Sequence, residues 1–129
     1  MILDTGFLID LIQGEESARR KAEKLEQQDR SLKISSATLF ELYTGIERSS
    51  KPEEEKEKVK QVLESKTVIE IDKKISKKAG KLNGNLLNNG ETIQSLDTLI
   101  AATALIHEEK ILTPDRDFQK IENLETETY

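Results

Sequence analysis

Four carboxylates, Asp4, Glu41, Asp97 and Asp115, each fall at the end of an apolar element, with Asp117 close behind the last. A buried strand or helix face would otherwise place an apolar or neutral residue there. Glu41 shares its helical face with Ala37 and Gly45, and Asp97 is followed on its face by Ala101 and Ala104. Small neighbours leave space for a ligand or a close helix, whereas a solvated acid more often has Lys or Glu beside it. Two carboxylates about 4 Å apart repel by roughly 4 kcal/mol at an effective dielectric of 20. A gathered set therefore calls for protons or a counter-ion. Oxygen-only ligands select hard cations, chiefly Mg²⁺ or Mn²⁺, over zinc. Mg²⁺ held by carboxylates and waters usually acts on phosphates. Taken singly, each acid has a plainer reading: an Asp after a strand caps a turn or helix, Asp97 in a first turn complements the helix dipole, and Glu41 is a surface acid. Their joint placement favours the metal site.

The elements that must position these acids follow from periodicity. Residues 1–4 read as a short buried strand, Thr5 and Gly6 as a turn, and 7–12 as the start of a helix. A second helix is predicted over 15–28, ending near Asp29, and a strand over 31–35. Ser36 is expected to cap a helix reaching Arg48, and Pro52 suits the first turn of another over 52–65. Residues 67–71 alternate like a strand. Asp72 caps a long helix with Ile75, Ala79, Leu82 and Leu86 on one stripe, ended by Asn88, Asn89 and Gly90. A helix over 95–107, a strand over 110–113, a short helix over 115–121 and an edge strand over 124–126 complete the chain.

Short apolar strands alternating with helices argue for an α/β fold with a parallel sheet covered on both faces. In such sheets ligands bind outside the carboxyl ends of the strands. Asp4 ends the first strand, and Asp115 and Asp117 follow the 110–113 strand. Glu41 lies one and a half turns into the helix after the second strand. Asp97 sits in the first turn of a helix leading into the same edge.

Bulk properties narrow the function. The 129 residues fit one domain spanning 1–129. With no Cys, there is no disulfide, thiol nucleophile or Cys-based zinc site. The N-terminal apolar run lacks a basic leader, and no stretch approaches the ~18 apolar residues of a membrane span. The chain therefore reads as soluble and cytoplasmic. A net charge of −5 argues against passive, charge-driven binding of nucleic acid, but leaves open an enzyme that meets phosphates through a cation.

His107 is the sole histidine, which excludes a metal-free ribonuclease built on a His pair. Its favoured reading is a helix C-terminal contact. The Lys-rich stretch 73–81 and the basic 19–24 stretch read as solvated faces, and Phe7, Phe40 and Phe118 as core. A phospho-receiver domain would need a second acid beside Asp4 and a Lys after the late strand. Thr113 leads instead to Pro114 and Asp115.

The segments ILDTGFLIDLI, SSATLFELYTGIERS, SLDTLIAATAL and ILTPDRDFQKI, in this order, resemble PIN-domain ribonucleases, and most closely the VapC-type toxins of type II toxin–antitoxin pairs. The resemblance covers nearly the whole chain, with Pro114 where the family often has a polar residue. It implies a PIN-like three-layer fold, with a five-stranded, mainly parallel sheet flanked by helices. It also implies Mg²⁺- or Mn²⁺-dependent cleavage of RNA phosphodiester bonds. The family's acidic positions fall on Asp4, Glu41 and Asp97, with the fourth on Asp115 or on Asp117. Thr5 and Thr113 match hydroxyl positions beside the acids. Such proteins are typically homodimers silenced by a cognate antitoxin. Other readings consistent with the fold are an RNA-processing nuclease and a non-catalytic interaction module.

Overall fold

Period-two alternation is clearest in the central strands. Ile2 packs on one face of the sheet and Leu3 on the other, and Ile111 and Leu112 divide in the same way. Both faces therefore need a helical cover, because each presents large apolar side chains. The computed structural model describes residues 1–28 and 30–129. The expected end of the second helix near Asp29 falls outside the described residues at that one position.

The strands are β1 (Ile2–Leu3), β2 (Lys33–Ser35), β3 (Thr67–Ile69), β4 (Ile111–Leu112) and β5 (Thr126–Glu127), all parallel, in the order β3-β2-β1-β4-β5. The helices are α1 (Thr5–Ile12), α2 (Glu16–Gln27), α3 (Ser36–Arg48), α4 (Pro52–Leu63), α5 (Lys73–Asn88) and α6 (Ser95–Ile106), with a 3₁₀ turn at Arg116–Lys120. The expected α/β sheet is present. On one face Leu3, Ile34 and Leu112 meet Phe7, Leu8, Leu25, Leu42 and Val59. On the other, Ile2 and Ile111 meet Leu86, Ile100, Ala104 and Phe118. The stripe of α5 is used as its spacing predicts, with Ile75 and Ala79 buried against α6. No helix among the described residues is long and apolar enough to cross a membrane.

Several local expectations are corrected. Thr5 and Gly6 form no turn; α1 starts at Thr5, because the Asp4 side chain accepts from the Thr5 amide and caps the helix at once. The cap of α3 is Ser35, whose hydroxyl accepts from Ala37 N; Ser36 Oγ accepts instead from Ile71 N at 3.0 Å and ties down the chain after β3. The last strand lies at Thr126–Glu127, later than the expected 124–126, because pairing with β4 sets Ile111 opposite Thr126. Phe7 and Phe118 are core, but Phe40 is 62% exposed: α3 buries Leu42 and Ile46, and Phe40 stands on its outer side.

Candidate active site

The strand order reverses direction at β1. The chain steps from β1 outward to β2 and β3, then returns across the sheet to β4 on the other side of β1. The carboxyl ends of β1 and β4 therefore flank a topological switch point, where parallel sheets open a crevice. Asp4 leaves the end of β1, with its amide bonded to Leu112 O at 3.0 Å. Thr113 and Asp115 leave the end of β4.

A chain of short hydrogen bonds joins these ends to α3. Asp4 is buried, and its Oδ1 accepts from Thr5 N at 2.8 Å while its Oδ2 accepts from Thr113 Oγ1 at 2.6 Å. Thr113 Oγ1 in turn accepts from Asp115 N at 3.0 Å, which fixes the loop after β4 to the carboxylate after β1. Thr5 Oγ1 lies 2.7 Å from Glu41 Oε1 and 3.1 Å from Thr38 Oγ1. Its single proton goes to the carboxylate, the stronger acceptor, which leaves the Thr38 hydroxyl to donate the second bond. Thr38 is fully buried and was missed from the sequence; its position three residues before Glu41, on the same helical face, was the available signal.

Gly6 lets the two ends approach. A Cβ there would lie 3.2 Å from Pro114 Cγ and 3.5 Å from Asp4 Oδ2. Pro114 thus packs over the first turn of α1.

Asp97 approaches from the first turn of α6 and is half-buried. Burial, and then the charges of Asp4, Glu41, Asp115 and Asp117, push its pKa up to about 7. Burial also raises Asp4, against the Thr113 and Thr5 hydrogen bonds that lower it, and Glu41 and Asp115 add to the rise. Side chains from four separate elements therefore feel one another's charge. The two late acids differ. Asp115 raises both Asp4 and Asp97, whereas Asp117 acts on Asp97 alone, as the last of its influences. Asp117 also pairs with Lys120 at 3.1 Å. Asp115 Oδ1 accepts from Asp117 N at 2.9 Å and caps the 3₁₀ turn.

The acids do not stand as a ready-made cage. Among the described residues, no three acidic or imidazole groups converge closely enough to hold a metal ion as the side chains lie. Local donors hold several of them in place: Thr5 N and Thr113 for Asp4, Thr5 Oγ1 for Glu41, Asp117 N for Asp115. The residues nonetheless fit a hard divalent cation. The donors are all oxygen, and the surplus negative charge that raises Asp97 is what such an ion would offset.

A family model described as PIN domain matches residues 1–124. The chain belongs to the PIN-domain family. It is 28% identical to a protein of Shigella flexneri named tRNA(fMet)-specific endonuclease VapC, over 99% of this chain and 96% of that protein. It is 27% identical to Ribonuclease VapC2 of Rickettsia felis, with the same coverage. Among solved structures, it superposes on VapBC2 from Rickettsia felis bound to a promoter DNA fragment with a TM-score of 0.90 and 28% identity, covering 98% of this chain and 96% of that one. DNA-bound VapBC from Salmonella typhimurium gives a TM-score of 0.90 at 26% identity, with the same coverage. The VapC resemblance read from four segments thus extends over the whole PIN fold.

Proposed function

We propose that this PIN-domain chain is a metal-dependent endoribonuclease and the toxin of a VapBC-like pair. One observation carries the reading: acids from the end of β1, α3, α6 and the loop after β4 share one sheet edge, where burial first and then the charges of its neighbours raise Asp97 to a pKa of about 7. The names of the two relatives, an endonuclease specific for tRNA(fMet) and a ribonuclease, support RNA as the substrate.

Asp4, Asp97 and Asp115 would hold Mg²⁺ or Mn²⁺, directly or through water. Asp115 is preferred to Asp117, whose carboxylate is engaged by Lys120. A bound divalent cation supplies Lewis-acid activation of water and offsets charge on the phosphate oxygens. The chain's own groups do the positioning. Each Asp4 oxygen accepts one hydrogen bond, from Thr5 N or Thr113 Oγ1, and keeps a lone pair for a ligand. Thr5 turns Glu41 Oε1 inward and leaves Oε2 to orient a water. Thr113 clamps Asp115 and Asp4 into one unit.

The partners belong to the same proposal. A groove of about 200 Å³ between α1, α3 and α4, lined by Ile9, Ile12, Leu42 and Val59, offers an apolar seat beside Glu41 for a cognate antitoxin. The neighbours solved as VapBC complexes support that partner. The exposed Phe40 and Tyr43 suit burial in a homodimer. A cytoplasmic location fits a chain without Cys.

The test is cleavage of a mixed structured RNA by purified protein with Mg²⁺ or Mn²⁺ and with EDTA, beside Asp4→Asn and Asp97→Asn. Cutting that needs metal and vanishes in both variants is expected. Cutting that survives EDTA, or persists in both folded variants, overturns the site assignment. A folded parent that never cuts RNA favours the interaction module.

A further inference from the structure

A second cleft opens directly beside the acidic edge. It measures about 470 Å³, within the ~300–1,000 Å³ typical of small-ligand sites. It runs between the end of β4, the 3₁₀ turn and β5, and it shares Thr113 and Asp115 with the site described above. Its other polar lining comes from Arg116, Gln119, Thr126, Glu127 and Thr128.

The charges facing this cleft are unevenly compensated. Glu127 lies on its wall but is held by Lys21 at 2.8 Å and by Arg30 at 3.8 Å, and the Lys21 hydrogen bond keeps its carboxyl below the usual range. Lys120, the other cation of the turn, is taken by Asp117. Among the described residues, no carboxylate pairs with the exposed Arg116 guanidinium. A free guanidinium beside a carboxylate-rich edge suits an anion held next to that edge, because its planar fork matches phosphate oxygens. Thr126, on β5, and Thr128, just past its end, both line the cleft. With Gln119 they supply neutral donors and acceptors, which read a ribose or base edge without adding charge.

We infer that this cleft is the subsite for the nucleotide next to the scissile phosphate, with Arg116 on the neighbouring phosphate and Gln119, Thr126 and Thr128 on its sugar or base. The inference rests on the nuclease reading and deepens it. Continuity carries it: a phosphodiester at Asp115 has its next nucleotide within reach of a cleft whose wall is Asp115 itself. Arg116 is a positioning and affinity residue here, not a catalytic one.

The experiment uses the full chain carrying Asp97→Asn, so that RNA survives, with fluorescent single-stranded RNA oligonucleotides of mixed sequence. Affinity is measured by anisotropy over a salt series, with and without Arg116→Ala and Arg116→Lys. Arg116→Ala is expected to weaken binding about five- to tenfold, evenly across sequences, and to lower the slope of log Kd against log salt by about one. Arg116→Lys is expected to recover the slope but only part of the affinity, since a point charge replaces a fork. In the active protein the loss from Arg116→Ala should fall on KM rather than kcat. Gln119→Ala should alter the ranking among oligonucleotides that differ in one base. Parent binding that Arg116→Ala leaves unchanged overturns the subsite while the nuclease reading stands. No binding of RNA by the parent, together with no cleavage by the unsubstituted protein, overturns both.

Discussion

Replacing Asp97 with Asn should make the metal-free protein more stable while destroying its activity. In the folded chain the Asp97 carboxyl has its pKa pushed from 3.8 to about 7, by burial first and then by four neighbouring acids. Such a rise corresponds to roughly 4 kcal/mol of unfavourable ionisation at ~1.36 kcal/mol per pH unit. Asp97 remains half in water, where screening weakens these energies, so about 2 kcal/mol is the expected gain from neutralising it. The pH window follows from the direction of the rise. Between about pH 4 and 7 the unfolded chain has released this proton and the folded chain still holds it, so stability falls as pH rises, and the cost is complete above pH 7. Asn is neutral throughout. The advantage of Asp97→Asn should therefore grow between pH 5 and pH 8 and then level off.

The assay is urea and thermal denaturation followed by circular dichroism, in EDTA, at pH 5 and pH 8. At pH 8 the variant should melt ~5–10 °C above the parent, the range for about 2 kcal/mol in a domain of this size. Adding Mg²⁺ should raise the parent and narrow the gap, because an ion that binds only the folded site stabilises by mass action. A variant no more stable than the parent at pH 8, with the same gap at pH 5, would refute the claim that Asp97 carries the site's electrostatic strain.

Three other substitutions probe the supports. Thr5→Val removes the hydroxyl between Glu41 and Thr38; it should lower cleavage and cost about 1–3 kcal/mol, because the buried Thr38 hydroxyl loses a partner. Unchanged denaturation and rate would show that this bond does not matter. Gly6→Ala gains about 1 kcal/mol of helix propensity, but its Cβ meets Pro114 Cγ at 3.2 Å. Net stability should change little while cleavage falls, as the loop carrying Asp115 is pushed out; a parental rate would argue against this close approach. Tyr129→Phe removes the hydrogen bond to Asp10 but keeps the edge-to-face contact with Phe7, whose ring centroid lies 5.0 Å away. It should cost about 1 kcal/mol in chemical denaturation and leave cleavage untouched, and a large loss of activity would place the C-terminal residue in the site.

Much of this architecture was legible in the chain itself, because its signals are local. The apolar stripe of α5, the Asp72 cap and the short apolar runs of β1 and β4 depend on neighbours a few residues away. The placing of acids at strand and helix ends is likewise a property of those segments, and it led to the carboxyl edge of a parallel sheet. The four segments carrying the PIN resemblance are of the same kind.

What stayed hidden depends on which segments meet. Ser35 and Ser36 are adjacent hydroxyls with equal capping chemistry; only the chain after β3, bringing Ile71 N to Ser36, assigns one to the helix and the other to the loop. Phe40 has the composition of a core residue, yet the packing of α3 on α1 and α4 leaves it facing out. Asp115 and Asp117 are indistinguishable by spacing. Their difference arises from Lys120 neutralising one, and from the Thr113 bridge tying the other's backbone to Asp4. The strand order that opens the switch point between β1 and β4 is likewise absent from any local pattern, since it is set by long-range pairing of segments more than a hundred residues apart. The sequence alone thus determined the elements and the acids at their ends, through short-range periodicity and capping. The tertiary structure decided which acids face one another, because charge coupling and buried hydrogen bonds exist only once distant segments are in contact.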